Sequence, residues 1–195
     1  MALTFRLAGL CVAAFALAGC AVPPLDPTTE LKGAGPGVDG WSLNEVRVSI
    51  PEAMPVSEDP DIRYPSPDTL VWWGDPPGDR KAQVAALLAD AAREGAAPAM
   101  TGARPVDLTI SVIQFHAMTP KALATDINLG VHEMRFDLGV RDAATGEMLA
   151  FESDVSADMR AQSGPDALIA EEEGRGQKPQ IHARIRAVIR RWLGG

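Results

Sequence analysis

The sequence predicts an α+β fold in which two helices cover one face of a mostly antiparallel sheet. Two helical stripes, near residues 80–95 and 180–193, flank segments in which apolar and polar residues alternate. Apolar residues that recur about every 3.6 positions are typical of surface helices, and apolar residues at every second position are typical of half-buried strands. The element order β-α-β-β-β-α favours a two-layer sandwich, because each helix can bury its stripe only against the sheet.

The first strand is predicted over Glu45–Ile50, which alternates in polarity and is stopped by Pro51. Residues 51–67 hold five prolines and predict an irregular surface loop. Thr69–Trp73 then favours a short second strand.

The first helix is predicted to begin at Arg80, with Asp79 as its N-cap, and to end at Gly95. Residues spaced by three and four form the stripe that we expect to be buried. They are Val84, Leu87, Leu88, Ala91 and Ala92.

Val106–Met118 is the clearest predicted strand. Its apolar phase flips at Ile113 and Phe115, which predicts a β-bulge or a twist that buries both faces. Val131–Val140 alternates again, with Glu133 pointing outward.

A turn over residues 142–146 leads into a partner strand that carries Leu149, Phe151 and Val155, so a β-hairpin is predicted. The last helix is predicted over Gln180–Leu193. Its expected buried stripe is Ile181, Ile185, Val188, Ile189 and Trp192.

The N-terminus has the features of an export signal. Residues 1–19 contain Arg6, no acidic side chain and an apolar run from Leu7 to Leu17, which is shorter than the roughly 20 residues that a bilayer requires. The run ends in Leu17-Ala18-Gly19-Cys20, which resembles the lipobox of bacterial lipoproteins. The resemblance implies cleavage between Gly19 and Cys20 and lipidation of Cys20. The alternative is a plain secretory signal cut after Ala16-Leu17-Ala18.

The same resemblance implies three segments. These are a signal peptide over residues 1–19, a lipidated Pro- and Gly-rich tether over residues 20–40, and one periplasmic α+β domain over residues 41–195. Two or three acyl chains anchor a protein firmly to a bilayer. Because Ala21 stands where enterobacterial lipoproteins of the inner membrane carry Asp, we expect delivery to the periplasmic face of the outer membrane, with the inner membrane as the alternative.

No residue pattern predicts catalysis, a metal site or a cofactor. Lipidation of Cys20 and removal of Cys11 leave no free thiol, and His116, His132 and His182 lack metal-helix spacing and are interpreted as isolated polar residues. There is no nucleophile elbow, P-loop or dinucleotide motif. A hydrolase would require carboxylates or histidines that converge in one cleft, and the sequence does not identify such a group.

The charge pattern excludes a general nucleic-acid binder, since the net charge is −8. Residues 20–173 carry 26 acidic and 11 basic side chains, whereas residues 174–195 carry six basic and no acidic ones. We expect the last helix to turn its arginines toward the acidic body, with Arg190 and Arg191 suiting its C-terminus. Contact of this helix with anionic lipid headgroups is the alternative.

Trp72 and Trp73 are adjacent on a predicted strand, so their rings point to opposite faces. We expect both to lie at the rim of the core under the first helix. The alternative is that one ring is exposed and meets a sugar, an acyl chain or a partner protein.

A tyrosine (Tyr64), the run Val71-Trp72-Trp73 and Pro76-Pro77 precede the first amphipathic helix. This pattern is similar to that of the auxiliary lipoproteins of ABC-type lipid transporters, and the later hairpin and last helix fit their α/β arrangement. The resemblance implies a lipid-anchored, non-enzymatic accessory or assembly protein that works with an envelope protein partner. The alternative function is a glycan- or lipid-binding envelope module that uses Trp72 or Trp73.

Overall fold

A computed structural model describes Val38 and residues 40–125 and 130–194. These residues form one sheet and four helices. The strands are β1 (Trp41–Ser49), β2 (Val56–Ser57), β3 (Leu70–Val71), β4 (Arg104–His116), β5 (Val131–Asp142), β6 (Met148–Ser156) and β7 (Met159–Arg160), and the helices are α1 (Arg80–Ala96), α2 (Pro120–Leu123), α3 (Pro165–Glu172) and α4 (Gln177–Trp192).

The sheet is mixed. Strand β4 runs antiparallel to β5, and β5 runs antiparallel to β6, which gives the core of the sheet the predicted antiparallel character. Strand β1 instead lies parallel to the first part of β4, and β3 pairs in parallel with its last two residues. Parallel neighbours need a crossover connection, and α1 lies in the segment that joins β1 to β4. The α+β sandwich predicted from the sequence is confirmed.

Helices α1 and α4 pack against each other and against one face of the sheet, which we call the covered face. Both predicted helical stripes are buried there, so those predictions are confirmed. Side chains of the central strands meet them from the sheet. They include Leu108, Ile110, Met134, Phe136 and Leu138, which are at most 1% exposed.

Gly95 does not end the first helix. Helix α1 continues to Ala96, and its N-cap Asp79 accepts a hydrogen bond from Ala82 N as predicted. A Cβ atom at Gly95 would stand 2.7 Å from the carbonyl oxygen of Arg186 in α4. The glycine is therefore needed for the close approach of two helices.

The predicted bulge in β4 is confirmed. The register with β5 shifts between Val112 and Gln114, and beyond the shift Phe115 again points into the core. Ile113 remains 40% exposed, so the bulge does not bury both faces. It turns Gln114 and His116 to the face opposite α1 and α4, which we call the open face.

The predicted hairpin is also confirmed. Its turn is fixed by the Asp142 carboxylate, which accepts hydrogen bonds from Ala144 N at 3.0 Å and Thr145 N at 2.9 Å. Arg104 Nε donates to the same carboxylate at 2.8 Å. The backbone donation by Thr145 and then the contact with Arg104 lower the pKa of Asp142 to about 2.

Some short elements were not predicted from the sequence. The segment 51–67, predicted as irregular, contains β2, and the stretch before the last helix contains α3. Helix α3 has no continuous apolar stripe, since it buries only Ala167 and Ala170 while Leu168 and Ile169 are 43% and 50% exposed. Such a helix has no periodicity to detect.

The predicted signal peptide and residues 20–37 of the predicted tether lie outside the described residues. Among the helices of the described part, none has both the length and the apolarity to cross a bilayer.

Candidate functional site

The open face carries a cavity of about 690 Å³. It lies between residues 61–67, helix α2 and the adjoining ends of β4 and β5, and we call it the groove. Its volume falls within the range of about 300–1,000 Å³ that is usual for ligand pockets.

Three polar side chains from β4 and β5 form a connected cluster in the wall of the groove. His116 and Glu133 are direct partners in the β4–β5 register. His116 Nδ1 lies 2.9 Å from Glu133 Oε2, and Gln114 Nε2 donates to the same oxygen at 3.1 Å. His116 is 8% exposed at its side chain and Glu133 is 49% exposed, so the cluster reaches from a buried ring to solvent.

The second ring nitrogen of His116 is buried and has no hydrogen-bond partner among the described residues. When Nδ1 carries the proton and donates to Glu133, Nε2 is a hydrogen-bond acceptor. Leaving a buried polar atom unpaired costs about 1–3 kcal/mol. A bound donor would remove that cost.

The rim of the groove joins the proline-rich segment to α2. Lys121 Nζ lies 2.9 Å from Asp61 Oδ2. Helix α2 itself begins at Thr119, whose hydroxyl accepts from Ala122 N at 3.2 Å. Tyr64 stands at the rim with 93% of its surface exposed.

The structure places the two tryptophans in different environments. Trp72 is fully buried, makes an edge-to-face contact with Phe115 at a centroid distance of 5.8 Å, and donates from Nε1 to Asp75 Oδ2 at 2.9 Å. Trp73 is half-buried, with the Arg80 guanidinium 5.2 Å from its ring centroid. Trp72 has no exposed surface for a ligand, and neither ring lines the groove.

The other histidines lie apart from the groove. His132 is 1% exposed on the covered face, and burial lowers its pKa to about 4. His182 Nε2 lies 3.8 Å from Glu94 Oε1 on the surface. Within the described ranges no three His, Cys, Asp or Glu side chains are grouped so that they could hold a metal ion.

Some basic side chains of residues 174–195 form the expected ion pairs with acidic side chains earlier in the chain. Arg186 Nη1 lies 3.1 Å from Glu94 Oε2, and Lys178 pairs with Asp75. Arg190 and Arg191 are exposed at the end of α4. The apolar stripe of this helix is buried in the core and is therefore not available for insertion into a bilayer.

Sequence reasoning did not single out Gln114, Glu133 or Tyr64 as site residues, and it interpreted His116 as isolated. That interpretation is corrected by the contact with Glu133. The phase flip in β4 was the available signal, because a bulge before residue 114 puts His116 on the same face as the outward Glu133. The register that joins the two residues is not encoded in either strand alone. Cys20 and Gly19 lie outside the described residues.

A family described as a family of unknown function (DUF6778) matches residues 41–195. A solved structure of a candidate lipoprotein from Caulobacter crescentus CB15 is similar at 21% identity, with 57% of this chain and 83% of that chain covered and a TM-score of 0.29. A second, described as an uncharacterized protein, has 12% identity, covers 82% of this chain and 90% of its own, and has a TM-score of 0.33. Both TM-scores are below 0.5, so neither protein is shown to share the whole fold. No curated protein matches the chain.

Proposed function

This chain belongs to the DUF6778 family, whose function is unknown, and we propose that it is a lipid-anchored accessory or assembly protein of the cell envelope. In this role the lipid on Cys20 holds it at the periplasmic face of the outer membrane, and its folded domain acts by binding an envelope protein. The sequence Leu17-Ala18-Gly19-Cys20 supports the anchor. The inner membrane is the alternative location.

One observation carries the binding role: in the described part of the chain, the two long helices α1 and α4 both pack on the covered face and leave the open face of the sheet without them. Two large apolar side chains point outward from this sheet, Ile113 at 40% and Phe151 at 58% exposure. Apolar surface that a domain leaves exposed beside a cavity is typical of an interaction site. The open face is therefore the surface that we assign to the partner.

A narrower version of the proposal is a transport-auxiliary role. It rests on the pattern of Tyr64, Trp72-Trp73 and the following amphipathic helix, which is similar to that of ABC-type auxiliary lipoproteins. Of these aromatic residues, Trp72 is buried in the core, whereas the Tyr64 side chain is exposed to solvent. In a transport-auxiliary protein Tyr64 would belong to the partner surface.

The anchor is tested by Cys20→Ser in the full chain. We expect this variant to leave the membrane fraction, because no thiol remains for acylation. Cys11→Ser is the matched control, since Cys11 lies in the segment that is predicted to be removed, and it should fractionate as the wild type does. Retention of Cys20→Ser in the membrane fraction would contradict the anchor.

The partner surface is tested by a photo-crosslinking residue placed at Phe151 in intact cells. We expect it to capture the same envelope protein repeatedly, and the captured protein should be lost when Ile113 is replaced by Glu. A crosslinker at Ala187, which is exposed on α4, is the matched control on the other side of the domain. Equal capture from both positions, or none from Phe151, would refute the assignment of the open face.

A further inference from the structure

We propose that the groove is a glycan-binding site, in which the cluster of Gln114, His116 and Glu133 hydrogen-bonds the hydroxyl groups of a neutral saccharide while Tyr64 stacks on a sugar ring. This inference goes beyond the proposed function, because it assigns a second class of ligand, a saccharide, to the groove beside the surface that we assign to the envelope protein.

The wall of the groove offers hydrogen-bond acceptors that no described residue uses. Glu133 Oε2 is the hydrogen-bond partner of both His116 Nδ1 and Gln114 Nε2. Glu133 Oε1, at the half-exposed end of the side chain, is left for a ligand. When Nδ1 carries the proton, His116 Nε2 adds a buried acceptor without a partner in the described residues. Hydroxyl groups satisfy such acceptors, and a saccharide brings several of them on one rigid ring.

Among the described residues that line the groove, the charges cancel. Asp61 and Glu133 are balanced by Arg63 and Lys121, and Lys121 already pairs with Asp61. A strongly anionic or cationic ligand would therefore gain little net attraction from the lining. A neutral ligand that both donates and accepts hydrogen bonds fits this pattern.

The polar cluster in the wall of the groove opposes an acyl chain at that wall. Half of the lining residues carry polar or charged side chains, and the apolar ones include Pro65, Pro67 and Val71. An acyl chain laid over the cluster would cover polar atoms without pairing them, which costs free energy. A sugar ring presents C–H groups to the apolar residues and hydroxyl groups to the polar ones.

Tyr64 supplies the stacking surface. It is the only tyrosine of the chain, and at 93% exposure it contributes almost nothing to the core. Its segment is tied to the rest of the domain by the Lys121–Asp61 pair across the groove. An exposed aromatic ring beside convergent hydrogen-bonding groups has the amphipathic character that saccharide contacts require.

The proposal is tested by calorimetric titration of the full chain in detergent with three neutral probes: tetra-N-acetylchitotetraose, cellotetraose and maltotetraose. We expect saturable binding of at least one probe. Glu133→Gln keeps the size of the side chain and its contact with His116, and it should weaken binding about tenfold through loss of a charged acceptor. Tyr64→Ala should weaken binding by a comparable, about tenfold, factor.

Matched controls stand outside the groove. Glu147→Gln changes an exposed glutamate in the β5–β6 turn, and Ile169→Ala removes an exposed apolar side chain on α3, which does not line the groove. Both should bind the probe as the wild type does. Thermal unfolding of all four variants checks that each one is folded.

The proposal is overturned if none of the three probes binds the folded protein, or if Glu133→Gln and Tyr64→Ala bind as tightly as the wild type. It is also overturned if vesicles of phosphatidylethanolamine and phosphatidylglycerol, rather than the saccharides, bind in a Tyr64-dependent way. The fractionation of Cys20→Ser and the crosslinking at Phe151 use no saccharide. Failure of glycan binding is thus separate from failure of the envelope role.

Discussion

The two faces of the sheet use the same strands for opposite purposes. On the covered face, Leu108 and Leu138 are fully buried under α1 and α4. On the open face of β4 and β5, Thr109 and Asp137 remain partly exposed, and the outward positions end in the polar cluster of the groove. The comparison shows that the buried apolar side chains of β4 and β5 lie on one side, whereas the other side carries the partly exposed polar ones.

The two histidines near the junction of β4 and β5 illustrate the same division. His116 on the open face has a carboxylate partner at 2.9 Å. His132 on the covered face is 1% exposed, and its Nδ1 has no partner among the described residues. The same residue type is held by a charged neighbour on one face and kept neutral by burial on the other.

The largest expected effect on stability comes from removing a buried side chain on the covered face. Ile185→Ala removes a fully buried side chain at the centre of α4, which should lower the free energy of unfolding by about 2–5 kcal/mol, because it leaves a cavity that the neighbours cannot close. Urea denaturation measures the change. Ala187→Gly on the exposed side of the same helix is the control and should cost only about 1 kcal/mol. Equal losses in the two variants would contradict the assigned orientation of α4.

A second effect comes from the titration of His132. Unfolded histidine titrates near 6.5 and folded His132 near 4, so the unfolded state binds more protons between these values. The stability from neutral His132 is therefore complete above pH 6.5 and is lost as the pH falls toward 4, by about 3 kcal/mol in total.

The measurement compares urea denaturation at pH 7 and pH 4.5 for the wild type, His132→Gln and the surface control His182→Gln. We expect the drop in stability to be clearly smaller in His132→Gln and unchanged in His182→Gln. A drop of the same size in all three proteins would show that His132 does not cause it.

The smallest expected effect tests the open face. Phe151→Thr replaces an exposed aromatic residue by one that also favours strands, so the free energy of unfolding should change by no more than about 0.5 kcal/mol. A photo-crosslinking residue at Ile113 should capture the envelope partner in the chain with Phe151 and lose that capture in the Phe151→Thr chain. A large loss of stability would show that Phe151 belongs to the core rather than to a binding surface.

Much of the fold follows from patterns within single segments. The stripe of α4 and the alternation of β5 predict their own buried residues, because each element faces one core with a regular period. The parallel pairing of β1 with β4 does not follow from either strand, since it depends on the path of the chain through α1.

The candidate site was less predictable for a related reason. Its parts lie far apart in sequence: Tyr64 in the proline-rich segment, His116 at the end of β4 and Glu133 at the start of β5. The sequence offers the adjacent pair Trp72-Trp73 as an alternative ligand-binding site, but Trp72 packs in the core against Phe115. Only the register of β4 with β5 distinguishes a residue of the site from one of the core.

The parallel pairing of β1 and β4 also determines how the domain would carry a mechanical load. The chain enters β1 at Trp41, opposite Arg104, whereas the groove lies beyond the other end of the pair, at His116. Tension between a lipid anchor at Cys20 and a ligand held in the groove would run along the two strands in opposite directions. The hydrogen bonds between β1 and β4 would then be strained together in shear instead of opening one after another. Under such a load, β1 would resist being peeled from the sheet.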